Sequence, residues 1–572
     1  MKIKLISLII LVLTSNISIS QWSTDPSENL KVLYYSLVPC LVTDGDGGAI
    51  IVGETYTVFP QLRAQRVDKY GNILWDASLN GILVSTAGDE RKNHIVVPDG
   101  AGGVYIGFEE WTIVGREEEP PGNIYFSRVR VQRINANGNL LFGSEGLPVY
   151  HYPVDISGGG QCVRSMVSDN SGGVFVLWGD RWGSQGNDKY INYITPDGHI
   201  SWENSIALNA PSSLVERDFL MYSDGEDGII VYLLINSTAS IPDKDRFIRI
   251  NRQGEIIHNK QIDTGLTGFY LSAAVNGECI LFWQDFNQTG NTDTIRCQKI
   301  NRDGLKLWGA TPTIVDCTGI VRNYLHEGIT SDSLGGAYVA YGKGDRKSRL
   351  IHVDSNREII FKKDVINFNG VHNSGQSCMV GYADKVIYSL FMEYGLFSPD
   401  SAFAYAFDSF GKKIWPGVIY STRNRQAMSD AVISDGNGGA IFAWHENLPQ
   451  RGTWIQQVNK NGQLGIVTAV EKNRYKSNKP NTFQLHATYP NPGKDTIIIP
   501  YRLAKNNNIT IKIYNLLGKE VRTFGQQYQH KGFHQVTWDS RDNNGYAVTN
   551  GIYFYQITTM RRQQVRKFII IC

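Results

Sequence analysis

One stretch constrains this chain more than any other because it recurs. Ser434-Asp435-Gly436-Asn437-Gly438-Gly439 is followed at once by the apolar run Ala440-Ile441-Phe442-Ala443-Trp444. Asp and Asn side chains bond to nearby backbone, and Gly adopts positive φ without steric cost, so the first half reads as a tight turn. The second half reads as a short, largely buried strand. Earlier copies are Thr43-Asp44-Gly45-Asp46-Gly47-Gly48, Pro98-Asp99-Gly100-Ala101-Gly102-Gly103 and Ser168-Asp169-Asn170-Ser171-Gly172-Gly173. Ser223-Asp224-Gly225-Glu226-Asp227-Gly228 and Ser331-Asp332-Ser333-Leu334-Gly335-Gly336 follow. Weaker copies stand at Asn276-Gly277-Glu278 and Ala383-Asp384-Lys385, making eight at intervals of roughly 50–70 residues.

A second repeat alternates with the first. Its clearest copy is Gln65-Arg66-Val67-Asp68-Lys69-Tyr70-Gly71-Asn72-Ile73-Leu74-Trp75. Gly138, Gly198, Gly254, Gly304, Gly411 and Gly462 mark later copies, Asn356 replaces the glycine in the sixth, and Trp202, Trp308 and Trp415 repeat the position of Trp75. Each unit therefore reads as four antiparallel strands, which is one propeller blade. Trp22 to Val32 resembles Trp75 to Val84, so the N-terminus is expected to complete the last unit and leave no open edge. The expected fold is all-β: an eight-bladed β-propeller, with seven blades or two smaller propellers as alternatives, followed by a small Ig-like β-sandwich.

The expected domains are a signal peptide at 1–20, a propeller at 21–470, a linker at 471–483 and a C-terminal domain at 484–572. Lys2 and Lys4 precede an apolar run, Leu5 to Leu13, too short to span a bilayer, and Ser18-Ile19-Ser20 offers small residues for cleavage. No other stretch reads as a transmembrane segment. Residues 484–572 carry 12 Lys+Arg against 4 Asp+Glu, a net +8, which leaves −8 on residues 21–483 once the +2 of the signal is set aside. An acidic body argues against nucleic acid as a partner. Seven cysteines are too sparse to define the fold. Cys279 and Cys297 fall on adjacent expected strands, where a disulfide and a pair of buried thiols are the competing readings.

In an antiparallel blade the first and third turns share one face and the second loop lies on the other. The second loops vary: Gly107 to Asn123, Trp178 to Asp188, Asn236 to Asp245 and Trp283 to Thr292. Variable loops on a rigid scaffold are where binding resides. Several pair aromatics with carboxylates, which suits sugar rings with apolar C–H faces and hydroxyl edges. The ligand candidates are Trp111, Trp178, Asp180, Trp182, Trp283 and Asp285, with Trp111 and Trp182 expected deeper in their loops. The competing reading has the recurrent tryptophans packing between blades, and recurrence favours it.

No catalytic set emerges, and no cofactor or metal is assigned. Asp44-Gly45-Asp46-Gly47 begins like a calcium loop but lacks the downstream bidentate glutamate. His530 and His534 fall in an expected turn and strand, not on a helix face. Thr195-Pro196-Asp197-Gly198-His199-Ile200-Ser201-Trp202 resembles the Asp-box of sialidase-type propellers, with His199 at the glycine position. Val67 to Trp75 resembles the repeat of pyrroloquinoline-quinone propellers, whose tryptophan packs between eight blades, although the adjacent cysteine pair is missing.

The tail carries several motifs in order. Tyr489-Pro490-Asn491-Pro492 opens it; Tyr514 and Gly518 lie in Ile509 to Val521; Trp538-Asp539 closes Gly532 to Asp539; Gly551 and Tyr553 lie in Asn550 to Tyr555. The segment resembles the type A C-terminal sorting domain of the type IX secretion system of Bacteroidetes. It departs at Gly493-Lys494, where the family usually has an aromatic, and in ending on Cys572. The resemblance implies Sec export, passage through the outer membrane by the type IX machinery, and a secreted or outer-membrane surface location. The function expected is a non-enzymatic glycan- or protein-binding module. An extracellular polysaccharide hydrolase or lyase and a passive matrix component are the alternatives.

Overall fold

In a computed structural model, the structure describes residues 22–117, 122–149, 160–169, 171–180, 189–202, 204–208, 216–235, 245–262, 270–275, 277–285, 292–319, 328–343, 347–367, 378–392, 401–415, 417–422, 428–446, 451–465, 483–485, 488, 496–503, 505–515, 518–559 and 562–570. The chain divides into two compact units, Met1–Val467 and Thr468–Cys572.

The first unit contains eight four-stranded antiparallel sheets among its described residues. Sheet 8 includes β1 (Leu30–Tyr34). Sheet 1 is β2 (Ser36–Thr43), β3 (Ala49–Thr55), β4 (Leu62–Val67) and β5 (Ile82–Leu83), in that order. Sheet 2 is β6 (Glu90–Pro98), β7 (Val104–Glu117), β8 (Gly122–Ile134) and β9 (Leu147–Pro148). Sheets 3 to 7 repeat this sequential order, beginning at Gln161, Glu216, Tyr270, Gly328 and Met379. Sheet 8 differs. Its first three strands are Met428–Ser434, Ala440–Glu446 and Gly452–Val458, and its fourth is β1, with Leu30 opposite Ile455 and Tyr34 opposite Gly452. The first strand of every sheet touches the first strand of the next, and that of sheet 8 touches β2, so the sequence of sheets closes on itself.

The second strands show why the apolar runs are continuous rather than alternating. Ala49 and Ile51 of β3 join a cluster with sheet 8, whereas Ile50 and Val52 join one with sheet 2. Both faces of the strand are covered, so both need apolar side chains. Eight such clusters fill the spaces between neighbouring sheets.

The second unit has a three-stranded sheet (Phe483–Leu485, Ile497–Leu503, Gly532–Trp538) and a four-stranded sheet ordered Glu520–Gln529, Asn507–Asn515, Gly551–Thr559, Arg562–Ile570. Alternating residues of both, including Ile499, Ile511, Trp538, Tyr555 and Phe568, share one core.

One sequence expectation changes, and one open alternative closes. Within the expected loop Gly107 to Asn123, residues 107–117 and 122–123 are strand: β7 and β8 pair as a ribbon, with Trp111 opposite Ser127 and Ile113 opposite Tyr125. Cys279 lies opposite Ile300, while Cys297 lies opposite Phe282; the two are buried free thiols, not a disulfide. Burial pushes the Cys297 thiol up to about 12. His530 and His534 flank a strand start, and a His534 ring nitrogen contacts the His530 carbonyl at 2.8 Å.

Candidate functional site

The turn carboxylates have structural partners. Asp99 Oδ1 accepts the Ala101 and Gly103 amides at 2.7 and 2.8 Å, and its Oδ2 accepts Arg133 Nη2 at 2.9 Å. Asp44, Asp169, Asp224, Asp332 and Asp435 each accept two turn amides in the same way. The third partner comes from the third strand and varies: Arg66, Tyr193, Arg249, His352 and Gln457. At Asp332, burial raises the carboxyl pKa, but bonds from His352 and two amides outweigh it and hold the group below its usual range. The Asp-Gly repeats are therefore self-satisfied turns.

A second device ties alternate sheets to their successors. The indole N–H groups of Trp75, Trp202, Trp308 and Trp415 donate to the carbonyls of Ala136, Arg252, Ser355 and Lys460, each in the turn after the third strand of the following sheet. The indole lies where a side chain would otherwise stand: a Cβ on Gly138 would come 3.1 Å from Trp75, and one on Gly254 2.9 Å from Trp202. Glycine leaves room for the ring at positive φ, +87° at both positions, whereas Arg357 holds the matching place beside Trp308 at +78°. Gln65, Gln132 and Gln298 add a third bond type, accepting the amides of Trp75, Phe142 and Trp308. These glutamines escaped the sequence reading, yet each stands three residues before its turn residue (Asp68, Asn135, Asn301).

The opposite face carries the candidate site. Trp178 and Trp283 end second strands but are about as buried as any side chain in the protein, 1% and 0% exposed. Trp178 stacks on Tyr190 at 4.5 Å and donates to Asn192 Oδ1 at 3.1 Å. Both tryptophans are buried packing residues, the reading their recurrence favours. Phe108 occupies the same position in sheet 2 and is also buried; Trp111 lies three residues further along β7 and is only half-buried. Beyond it β7 pairs with β8 alone, because β6 begins at Glu90, opposite Trp111. Its indole N–H donates to Glu109 Oε2 at 3.0 Å, and Asn93 Nδ2 donates to the same oxygen at 2.8 Å. Lys92 Nζ lies 4.1 Å from the ring centroid and 2.7 Å from Glu90 Oε2, and Tyr125 meets the ring edge-on at 5.9 Å. Glu110 is paired with Arg130 behind it. The result is an aromatic ring in fixed orientation among carboxylates, an amide and an ammonium group.

Asp180 and Asp285 end second strands, opposite Gln161 and Thr294. Trp182 and the motif Tyr489-Pro490-Asn491-Pro492 lie outside the described residues. No group of three or more His, Cys, Asp or Glu side chains placed to hold a metal occurs among the described residues. No described helix is long and apolar enough to cross a membrane.

In the second unit, Trp538 is fully buried, donates to the Arg541 carbonyl at 2.7 Å, and packs edge-on against Tyr553 and Phe568. Asp539 accepts the Arg541 amide at 3.3 Å. Tyr553 donates to the Thr549 carbonyl at 2.7 Å, and Tyr514 to Gln556 at 3.0 Å. Gly518 turns the chain at φ +77°, and Gly551 opens the strand beside Ile570. These motif residues thus build the core and turns of the tail.

Residues 487–571 match the family described as the secretion system C-terminal sorting domain. The tail is a type IX sorting domain, which marks the protein for export to the cell surface or extracellular space and implies contact with the secretion machinery. No curated protein sequence matches the chain. Among solved structures, the β-propeller domain of the Trilobed protease from Pyrococcus furiosus is similar at 10% identity, over 68% of this chain and 100% of that one, with a TM-score of 0.36. The BP39L lectin from Burkholderia pseudomallei is similar at 10% identity, over 66% and 98%, with a TM-score of 0.36. The Hadza microbial sialidase Hz136 is similar at 13% identity, over 58% and 71%, with a TM-score of 0.31.

Proposed function

We propose that this is an exported, non-enzymatic binding protein whose eight sheets are the blades of one closed propeller and whose variable-loop face takes an extracellular glycan or protein. On this reading residues 1–20 are the export signal, 471–483 a linker, and 484–572 an Ig-like sandwich that serves as the address. One observation carries the reading. Trp178, Trp283 and Trp444 are buried, as is Phe108 at their position in sheet 2, whereas Trp111, three residues further along, keeps solvent access on a ribbon that leaves its sheet. The opposite face supports it by contrast, because its turn carboxylates are bonded internally.

The test is a panel of bacterial, plant and algal polysaccharides read in parallel by tryptophan fluorescence and by new reducing ends. Saturable binding without new ends, weakened by Trp111→Ala in a protein that still melts cooperatively, is the expected result. New reducing ends that disappear on Asp180→Asn or Asp285→Asn would replace this reading with a hydrolase.

A further inference from the structure

We infer a second ligand site, for a carboxylated polysaccharide, at the seam where β1 hands over to β2. The inference rests on the reading of the protein as a binding module but concerns a different surface from Trp111.

A single residue, Tyr35, separates the outer strand of sheet 8 from the inner strand of sheet 1. Its φ is +48°, a conformation unusual for an aromatic residue and held here by its neighbours. The Tyr35 amide donates to the Arg451 carbonyl at 3.2 Å, and the Tyr35 carbonyl accepts the Tyr56 amide at 2.6 Å. Three segments from two sheets are thereby fixed side by side: 34–35, 56–59 and 451. Their side chains are unusually exposed for aromatics: Tyr34 42%, Tyr35 61%, Tyr56 51% and Phe59 46%. Elsewhere in this unit the repeating aromatics are buried between sheets, so packing does not account for this group. A contiguous exposed cluster of this kind marks an interaction surface.

The cations indicate the ligand. Arg451 places its guanidinium 3.8 Å from the centroid of Tyr56, and Lys31 its ammonium 4.5 Å from that of Tyr34. Aromatic rings give platforms for the C–H faces of sugars, and guanidinium binds carboxylate through paired hydrogen bonds. A uronic-acid polymer presents both features at every residue. The net charge of −8 on residues 21–483 opposes general attraction of polyanions, so recognition must come from this local pairing of ring and cation.

The experiment uses the full chain, with polygalacturonate, its carboxyl-reduced form, dextran sulfate and neutral dextran as probes. Polygalacturonate is expected to bind saturably, and the other three at least tenfold more weakly. Arg451→Gln and the pair Tyr35→Asn/Tyr56→Ala should each weaken binding about tenfold or more, with Arg451→Gln also flattening the salt dependence. Asn at 35 tolerates the left-handed backbone, and an unchanged melt checks folding. Equal binding by the reduced polymer or by dextran sulfate would overturn the inference. So would seam variants that bind like the parent while Trp111→Ala loses binding, which leaves the binding-module reading standing. Failure of the parent to bind any glycan of this or the wider panel would remove the inference and the glycan arm of that reading together.

Discussion

The indole N–H of Trp22 donates to the carbonyl of Lys69 at 2.9 Å, joining residues 47 positions apart across the seam between sheets 8 and 1. A Cβ on Gly71 would come 3.2 Å from the Trp22 ring, so Trp22 sits on the Gly turn of sheet 1 as Trp75 sits on that of sheet 2. The N-terminus thus supplies sheet 8 with both its fourth strand and its locking tryptophan. Trp22→Ala should destabilise the first unit by roughly 3–5 kcal/mol, the range for removing a buried tryptophan side chain. Trp22→Phe should recover most of that, losing about 1 kcal/mol with the hydrogen bond. Denaturant midpoints at constant m-value measure both, and an unchanged midpoint for Trp22→Ala would mean that this indole does not stabilise the closure.

The Gly turns allow a contrast between strain and collision. Gly100 and Gly138 both have positive φ, +70° and +87°. A Cβ on Gly100 meets nothing within 4 Å, whereas one on Gly138 would stand 2.8 Å from Ile82 Cδ1. Gly100→Ala should cost about 1 kcal/mol from backbone strain alone. Gly138→Ala should cost roughly 1–3 kcal/mol more, because the interface must also give way. Equal losses in thermal or denaturant unfolding would show that the Trp75 seat yields easily.

The turn carboxylates predict a stability effect without a metal effect. Asp99 is fully buried at its side chain, and its partner Arg133 is 12% exposed. Asp99→Ala removes the acceptor of two turn amides and leaves the guanidinium without its anion, a change expected to cost about 3–5 kcal/mol. Adding calcium or a chelator should leave the melting temperature of the parent protein unmoved, since the Asp99 oxygens already accept amides and guanidinium. A calcium-dependent rise in melting temperature would contradict the turn assignment.

How much of this was legible follows from what repeats. The turn aspartates and glycines recur as letters, so the strands around them could be placed, and Trp22 could be matched to Trp75. The third-strand partners of the aspartates do not recur as letters: Arg133, Tyr193, His352 and Gln457 perform one task with four chemistries. Only geometry reveals them. Trp111 and Trp178 present the opposite case, one residue type in two environments, because Trp111 lies further along its strand than Trp178 does along its own. The difference arises because the β7–β8 ribbon outruns β6, and pairing length is set by strands distant in sequence. The exposed seam at Tyr35 was illegible for a related reason: the β2–β3 hairpin brings Tyr56 beside it, but Arg451 arrives only when the ends of the unit meet.

The last prediction concerns a buried histidine next to that seam. His94 of β6 has Nδ1 3.5 Å from Glu54 Oε1 and Nε2 3.1 Å from the Val52 carbonyl, so both ring nitrogens face acceptors. Burial alone would favour the neutral ring, but Cys40 and Glu54 outweigh it and lift the pKa from 6.5 to about 10. A pKa raised on folding stabilises the folded state fully below the unfolded value and loses that contribution as pH rises through the folded one. The denaturant midpoint should therefore fall between about pH 6.5 and pH 10. His94→Gln should flatten the decline, and Glu54→Gln should move it toward neutral pH by removing the facing carboxylate. Parallel pH profiles for the parent and His94→Gln would show that the imidazole is not held protonated in the fold.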